Sequence, residues 1–323
     1  MTVAPEAVTC GEAMLMMLAE PGVPLERAVS FRRSVTGPEA VVAAGLARAG
    51  HRVRFLGRLG ADPAGEAVLR ELRADGVDVS GIETDPVAPT GLLLRDSHPH
   101  RESTAQYYRE ATACCDLAPE HVTAELLDGA RLVHISGVTP MLSASAAAAT
   151  RHLIDLARRQ GAALSLAPAV RPGLGTEHDW MRVVGPLLSE VDMVLADEDE
   201  LELLLGGGPE EAAKALLGVG KARTVVVSRR DGGCTAIGRA GRWAQEPVGA
   251  PVTDPGGSSE AFAAGWLSAC LRGLTPPDAL AEAACTAALV AQSPSDTDGL
   301  PDPYTRARAL AGLRPRLADD VQY

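Results

Sequence analysis

After residue 115 the chain alternates short runs of β-branched residues and leucine with longer amphipathic or alanine-rich stretches. This alternation limits the fold more than any other feature. The runs Leu132-Val133-His134-Ile135, Leu164-Ser165-Leu166, Val191-Asp192-Met193-Val194-Leu195 and Thr224-Val225-Val226-Val227 read as buried strands. The stretches 144–160, 177–189 and 197–218 between them read as helices, the last broken at Gly206-Gly207-Gly208. Strands separated by helices are joined by crossovers, which make a parallel sheet covered on both faces. Ligands are then expected beyond the carboxyl ends of the strands. With 323 residues, 46% of them hydrophobic and 22% charged, the chain can bury a large core.

Residues 12–35 and 88–112 do not follow this alternation. They carry short apolar runs, turn residues and aromatics, including Gly91-Leu92-Leu93-Leu94 and Gln106-Tyr107-Tyr108. We expect them to pair as a small extra sheet, and the absence of a tandem repeat or Pro-rich linker argues for one domain over 1–323 with these segments as its lid. A lid of this kind can also pair between subunits, which leaves room for a homodimer.

The segment Thr253-Asp254-Pro255-Gly256-Gly257-Ser258-Ser259-Glu260-Ala261-Phe262 holds the strongest local signal. Proline and glycine forbid regular structure up to Gly257, and the residues after it favour a helix beginning near Ser258. A helix start offers unpaired N–H groups and a positive dipole end, which suit an anion. By composition alone an N-cap is the commoner use of such residues: Ser258 or Ser259 would cap the helix and Glu260 would complement its dipole.

This segment resembles the second signature of the PfkB/ribokinase family, Asp-Thr-x-Gly-Ala-Gly-Asp followed by a helix. Thr36-Gly37-Pro38-Glu39-Ala40-Val41 is similar to the family's Gly-Gly-Ala-x-x-Asn, Gly57-Arg58-Leu59-Gly60-Ala61-Asp62-Pro63-Ala64-Gly65 to its Gly-x-x-Gly-x-Asp-x-x-Gly, and Asp197-Glu198-Asp199-Glu200 to its Asn-x-x-Glu. The likeness runs from about Val8 to Pro301. It implies an α/β ribokinase-like parallel-sheet sandwich with helices on both faces and a small β lid. Gly11-Glu12-Ala13-Met14-Leu15, Tyr107-Tyr108-Arg109 and Arg171 look like the 2-keto-3-deoxygluconate kinases within it.

The resemblance implies an ATP- and Mg²⁺-dependent kinase acting on a hydroxyl of a small sugar-acid-like or specialised metabolite. Glu260 stands for the catalytic Asp; Asp254, Gly257, Ser258 and Ser259 for the anion hole; Ser228 and Gly233 for the nucleotide loop. Gly37, Tyr107, Tyr108, Arg109 and Arg171 would bind the acceptor, the two guanidiniums converging on one anionic group. Without the family, the tyrosines read as packing of a lid strand and Arg109 as a solvated charge. Asp197 and Glu200 would organise Mg²⁺ through water.

The pattern departs from the family at several of these places. Val41 stands for the sugar-binding Asn, Ala167 and Ala169 for the Asp and Asn of Asp-x-Asn-x-Arg, and Ser259 for the Gly before the catalytic acid. Losing polar groups there implies an acceptor with fewer hydroxyls. The alternative is a catalytically degenerate homologue, serving as a ligand sensor or assembly partner, or a repurposed enzyme using the same cleft.

The net charge of -12 argues against nucleic acid and anionic membranes as partners. Six scattered cysteines without metal spacing read as reduced thiols of a cytoplasmic protein. Residues 1–10 carry no basic start followed by an apolar run. No apolar stretch reaches the ~20 residues that span a bilayer.

Overall fold

The structure, a computed structural model, describes residues 4–98 and 103–313. In chain order its strands are β1 (Ala7–Cys10), β2 (Met14–Ala19), β3 (Phe31–Thr36), β4 (Val53–Gly60), β5 (Asp78–Asp85), β6 (Leu92–Arg95), β7 (Ala105–Tyr108), β8 (Leu132–Ser136), β9 (Ala163–Ala167), β10 (Met193–Asp197), β11 (Thr224–Ser228), β12 (Cys234–Gly238) and β13 (Gly241–Gln245). Nine form one sheet in the order β13-β12-β11-β10-β9-β8-β1-β4-β5. From β11 to β5 every neighbouring pair is parallel. The hairpin of β12 and β13 adds an antiparallel edge.

Side chains alternate across a strand, so a buried parallel sheet feeds two cores. Val8, Leu56, Val133, Ile135, Val194, Val225 and Val227 pack on one face. Ala7, Val53, Phe55, Leu132, Leu195 and Val226 enter the other, against Phe262, Trp266 and Leu267. Among the described residues no helix is long and apolar enough to cross a membrane.

The helix Ala144–Gln160 spans the stretch expected for it, because Ser143 accepts from Ala146 N at its start and Gly161, at φ +75, ends it. The stretch 177–189 divides into Glu177–Val183 and Gly185–Leu188. Pro186 sits in the second piece and has no N–H with which to continue the first. The stretch 197–218 divides into Glu198–Leu205 and Pro209–Val219 around the three glycines. The strand expected at 191–195 is shifted to Met193–Asp197, and Asp197 caps the helix that follows.

A second sheet runs β3-β2-β6-β7. It is built from the segments read as non-alternating; of these, 99–102 lie outside the described residues. Its strands deliver Met14, Thr36, Leu93, Arg95 and Tyr107 to a cavity at the end of the large sheet.

Candidate active site

The chain turns sharply at Gly257, with φ +75, and the helix Ser258–Leu271 begins there. A side chain at Gly257 would come within 2.6 Å of Asp296 Cα, so the residue must be glycine for space as well as for conformation. No side chain caps the helix, and the Ser258 hydroxyl is buried without a partner. The capping use of Ser258 or Ser259 therefore does not occur. Ser258 N donates to Pro255 O at 3.2 Å and Gly256 N to Asp254, so the other N–H groups of this first turn are the ones a helix start offers to an anion.

A buried ion network holds this loop in place. Arg95, at the end of β6, donates to Asp254 Oδ2 at 3.0 Å and to Asp296 Oδ1 at 2.9 Å. Asp254 also accepts from Gly256 N at 2.8 Å, and Asp296 from the Thr36 hydroxyl at 2.6 Å. Asp254 is 1% exposed and its oxygens are taken. It enters the site as an anchor of the loop, which corrects its assignment to the anion hole.

Glu260 lies in the first turn of the helix and accepts from Arg171 Nη2 at 3.0 Å. Two cavities meet at this pair. The smaller, about 110 Å³, is lined by Gly37, Val41, Tyr107 and Arg109 together with Arg95 and Gly257. The larger, about 260 Å³, is lined by Asp197, Glu200, Ser228 and Ser259. Pro38, Arg171 and Glu260 border both.

Arg109 and Arg171 do reach one cavity, but neither guanidinium is uncommitted. Arg109 is buried and pairs with Glu12, its Nε donating to Oε1 at 3.3 Å, and it stacks 4.6 Å from the centre of the Tyr107 ring. Arg171 holds Glu260. The expectation that the two guanidiniums converge on one anionic group of the acceptor loses its basis, because each is paired with a protein carboxylate. Tyr107 lines the cavity, whereas Tyr108 is absent from its wall and 53% exposed. Successive strand residues point to opposite faces, so one of the two tyrosines must turn away.

Asp197 and Glu200 form a reciprocal cap: Asp197 Oδ1 accepts from Glu200 N at 2.8 Å and Glu200 Oε2 from Asp197 N at 3.1 Å. Glu200 Oε1 accepts from Val170 N at 2.8 Å. Burial, aided by the Asp197 charge, pushes the Glu200 carboxyl up to about 7. Among the described residues no cluster of side chains forms a ready metal cage. Gly233 lines neither cavity; its N–H donates to Asp231 and Arg229 packs against it.

Sequence reasoning missed Arg95, Asp296, Glu12, Glu39 and His134. Glu39 is wholly buried, with Oε1 accepting from the Ser136 and Thr139 hydroxyls, both at 2.7 Å, while Oε2 has no partner. Burial raises its pKa. These bonds tie the start of the helix Pro38–Arg48 to the end of β8. The visible signal for Arg95 was a charge closing an apolar strand; Asp296 offered none.

The chain matches the model of the pfkB family carbohydrate kinases over residues 5–303. It is 32% identical over 312 residues to the 2-dehydro-3-deoxygluconokinase of Bacillus subtilis, covering 96% of each chain. A PfkB protein from Polaromonas is 32% identical with a TM-score of 0.84, covering 95% of this chain and 100% of that one. A putative ribokinase II from E. coli in complex with ATP and Mg²⁺, 22% identical, shares the fold with a TM-score of 0.89 over 95% of this chain and 99% of that one. Fold, signature loop and full-length similarity agree, and the chain belongs to the pfkB family of carbohydrate kinases.

Proposed function

We propose that the protein transfers the γ-phosphoryl group of ATP to a hydroxyl of a small, sugar-acid-like acceptor. The observation that carries this reading is the position of Glu260: a carboxylate beside an uncapped helix start, at the junction of two cavities. The smaller cavity suits the acceptor, since Arg109, Arg171 and Tyr107 give it cations and a hydroxyl. The polar end of the larger, at Asp197, Glu200 and Ser228, suits the donor phosphates.

The donor groups fit what the site lacks. Gly256 and Gly257 line the smaller cavity and Ser259 the larger, so the start of the helix faces the junction with small residues, while Ser258, its hydroxyl buried, borders neither cavity. Asp197, Asp199 and Glu200 gather on one wall and would hold Mg²⁺ through water, because both Glu200 oxygens already accept from backbone N–H groups. Bound there, ATP with Mg²⁺ supplies the phosphoryl group and neutralises charge on it.

The chain's own residues do the remainder. Glu260 takes the proton of the acceptor hydroxyl as its oxygen attacks, and the N–H groups at the helix start receive the charge on the moving phosphoryl group. Arg171 holds the acceptor's anionic group and, by exchanging Glu260 for it, frees the base. ADP and the phosphorylated acceptor result.

The test is direct. Mg²⁺ with a non-hydrolysable ATP analogue should raise the melting temperature, and ATP should be consumed with 2-dehydro-3-deoxygluconate or a less hydroxylated acid. Stabilisation without turnover across a broad acceptor panel would favour a ligand-sensing homologue, and no stabilisation at millimolar nucleotide would overturn the reading.

A further inference from the structure

The larger cavity does not end at the polar groups used above. It continues past Ala167 and Ala169 to Val42, Leu195, Phe262 and Ala263, each less than one-tenth exposed. His134 also borders it and adds no charge, because burial holds its pKa down to about 3; its Nδ1 lies 3.1 Å from the Ser165 hydroxyl. Walls of this kind offer water few partners, and a cavity of about 150 Å³ with apolar walls already admits a benzene ring. The whole cavity, its polar end at Asp197, Glu200 and Ser228 included, measures about 260 Å³.

Two alanines create the depth. Ala169 has φ +49, a left-handed backbone that asparagine tolerates and alanine resists. The backbone thus suits a larger polar residue at a lining position, and the chain carries a methyl group there. Space has been kept at the expense of local comfort.

We propose that this recess binds an apolar substituent, an alkyl chain or an aromatic ring, carried by the acceptor. This rests on the kinase reading for the acceptor itself. The recess and the acceptor cavity share Pro38, Arg171 and Glu260, so a molecule with its hydroxyl at Glu260 can extend into the recess past Pro38. The loss of polar side chains at 167 and 169 then selects for a group that needs none.

Calorimetric titration of the full chain with indole reads the recess without any phosphotransfer. Wild type should bind indole saturably. Ala167→Leu, which fills the recess, and Ala169→Asn, which the backbone accommodates, should each weaken binding by about tenfold or more, the scale on which a pocket responds to small changes of shape. Both variants must melt cooperatively, and the second stands in if the first misfolds. A second arm compares kcat/KM with MgATP for a sugar and its phenyl glycoside: wild type should prefer the glycoside and Ala167→Leu should lose the preference. No saturable indole binding, or equal binding by wild type and both variants, overturns the proposal. Indole binding that the variants lose, with no phosphotransfer to any acceptor, supports the recess and overturns the kinase reading instead.

Discussion

Arg171 donates from Nη2 to Glu260 Oε1 at 3.0 Å, so the carboxylate assigned as base is held by a guanidinium that also borders the acceptor cavity. The same contact that orients Glu260 restrains it as a proton acceptor. Glu260→Gln keeps size and hydrogen bonding but cannot take a proton. We expect kcat to fall about 10²- to 10⁴-fold with nucleotide affinity little changed. Steady-state kinetics beside a nucleotide titration check this, and unchanged turnover removes Glu260 as base.

Arg171→Ala separates the two functions of that contact. An anionic acceptor should lose about tenfold or more in KM, the scale of one charge-assisted hydrogen bond, while a neutral analogue loses less. Equal losses for both would mean that Arg171 acts only through Glu260.

Arg95→Ala should be the most destabilising of the site variants, because it leaves Asp254 and Asp296 buried without a cation. Breaking such a network from one side costs roughly 3–5 kcal/mol. Urea unfolding measures it as a lower midpoint at unchanged slope. Arg95→Lys should recover part of the loss, since the charge returns without the planar fork.

Glu200 gives the stability a readable pH dependence. Burial pushes its carboxyl up to about 7 in the folded chain, from an ordinary value of 4.5. Between those values the unfolded chain has released this proton and the folded chain still holds it. Stability therefore falls as pH rises through the window, by up to about 3 kcal/mol from this group. Glu12 and Glu39, both raised by burial, act in the same direction. The informative quantity is the difference between wild type and Glu200→Gln: the variant should lose less stability between pH 5 and 8, read by denaturant titration at each pH.

Tyr107 and Tyr108 are adjacent yet should behave differently. Tyr107→Ala removes the ring stacked on Arg109 and should raise the acceptor KM. Tyr108→Ala acts on the outer face and should change KM by no more than about twofold, as exposed substitutions usually do. Kinetics of the two variants side by side make the comparison.

The parts legible in the sequence are those written in short-range patterns. Strand runs at 132–135, 164–166 and 224–227 and the helix Ala144–Gln160 follow from side-chain periodicity and from caps a few residues away. The helix start near Ser258 followed from Pro and Gly in the same way. The edge hairpin of β12 and β13 was not read, because two runs of five residues around a turn leave too little pattern.

Residue types at the site were also legible, since Glu260, Arg109, Arg171 and Tyr107 stand in recognisable motifs. Their partners were not. Arg95 meets Asp254 and Asp296 across 159 and 201 residues of chain, and Arg109 meets Glu12 across 97. The sequence alone determined the order of strands and helices between residues 132 and 227, and with it the sheet end where a cleft could form. Only the tertiary structure decided which carboxylate each guanidinium holds and that the Ser258 hydroxyl is left unpaired. Pattern acts over a few residues along the chain, whereas charge pairing acts over a few ångströms through space, and folding is what brings such distant positions together.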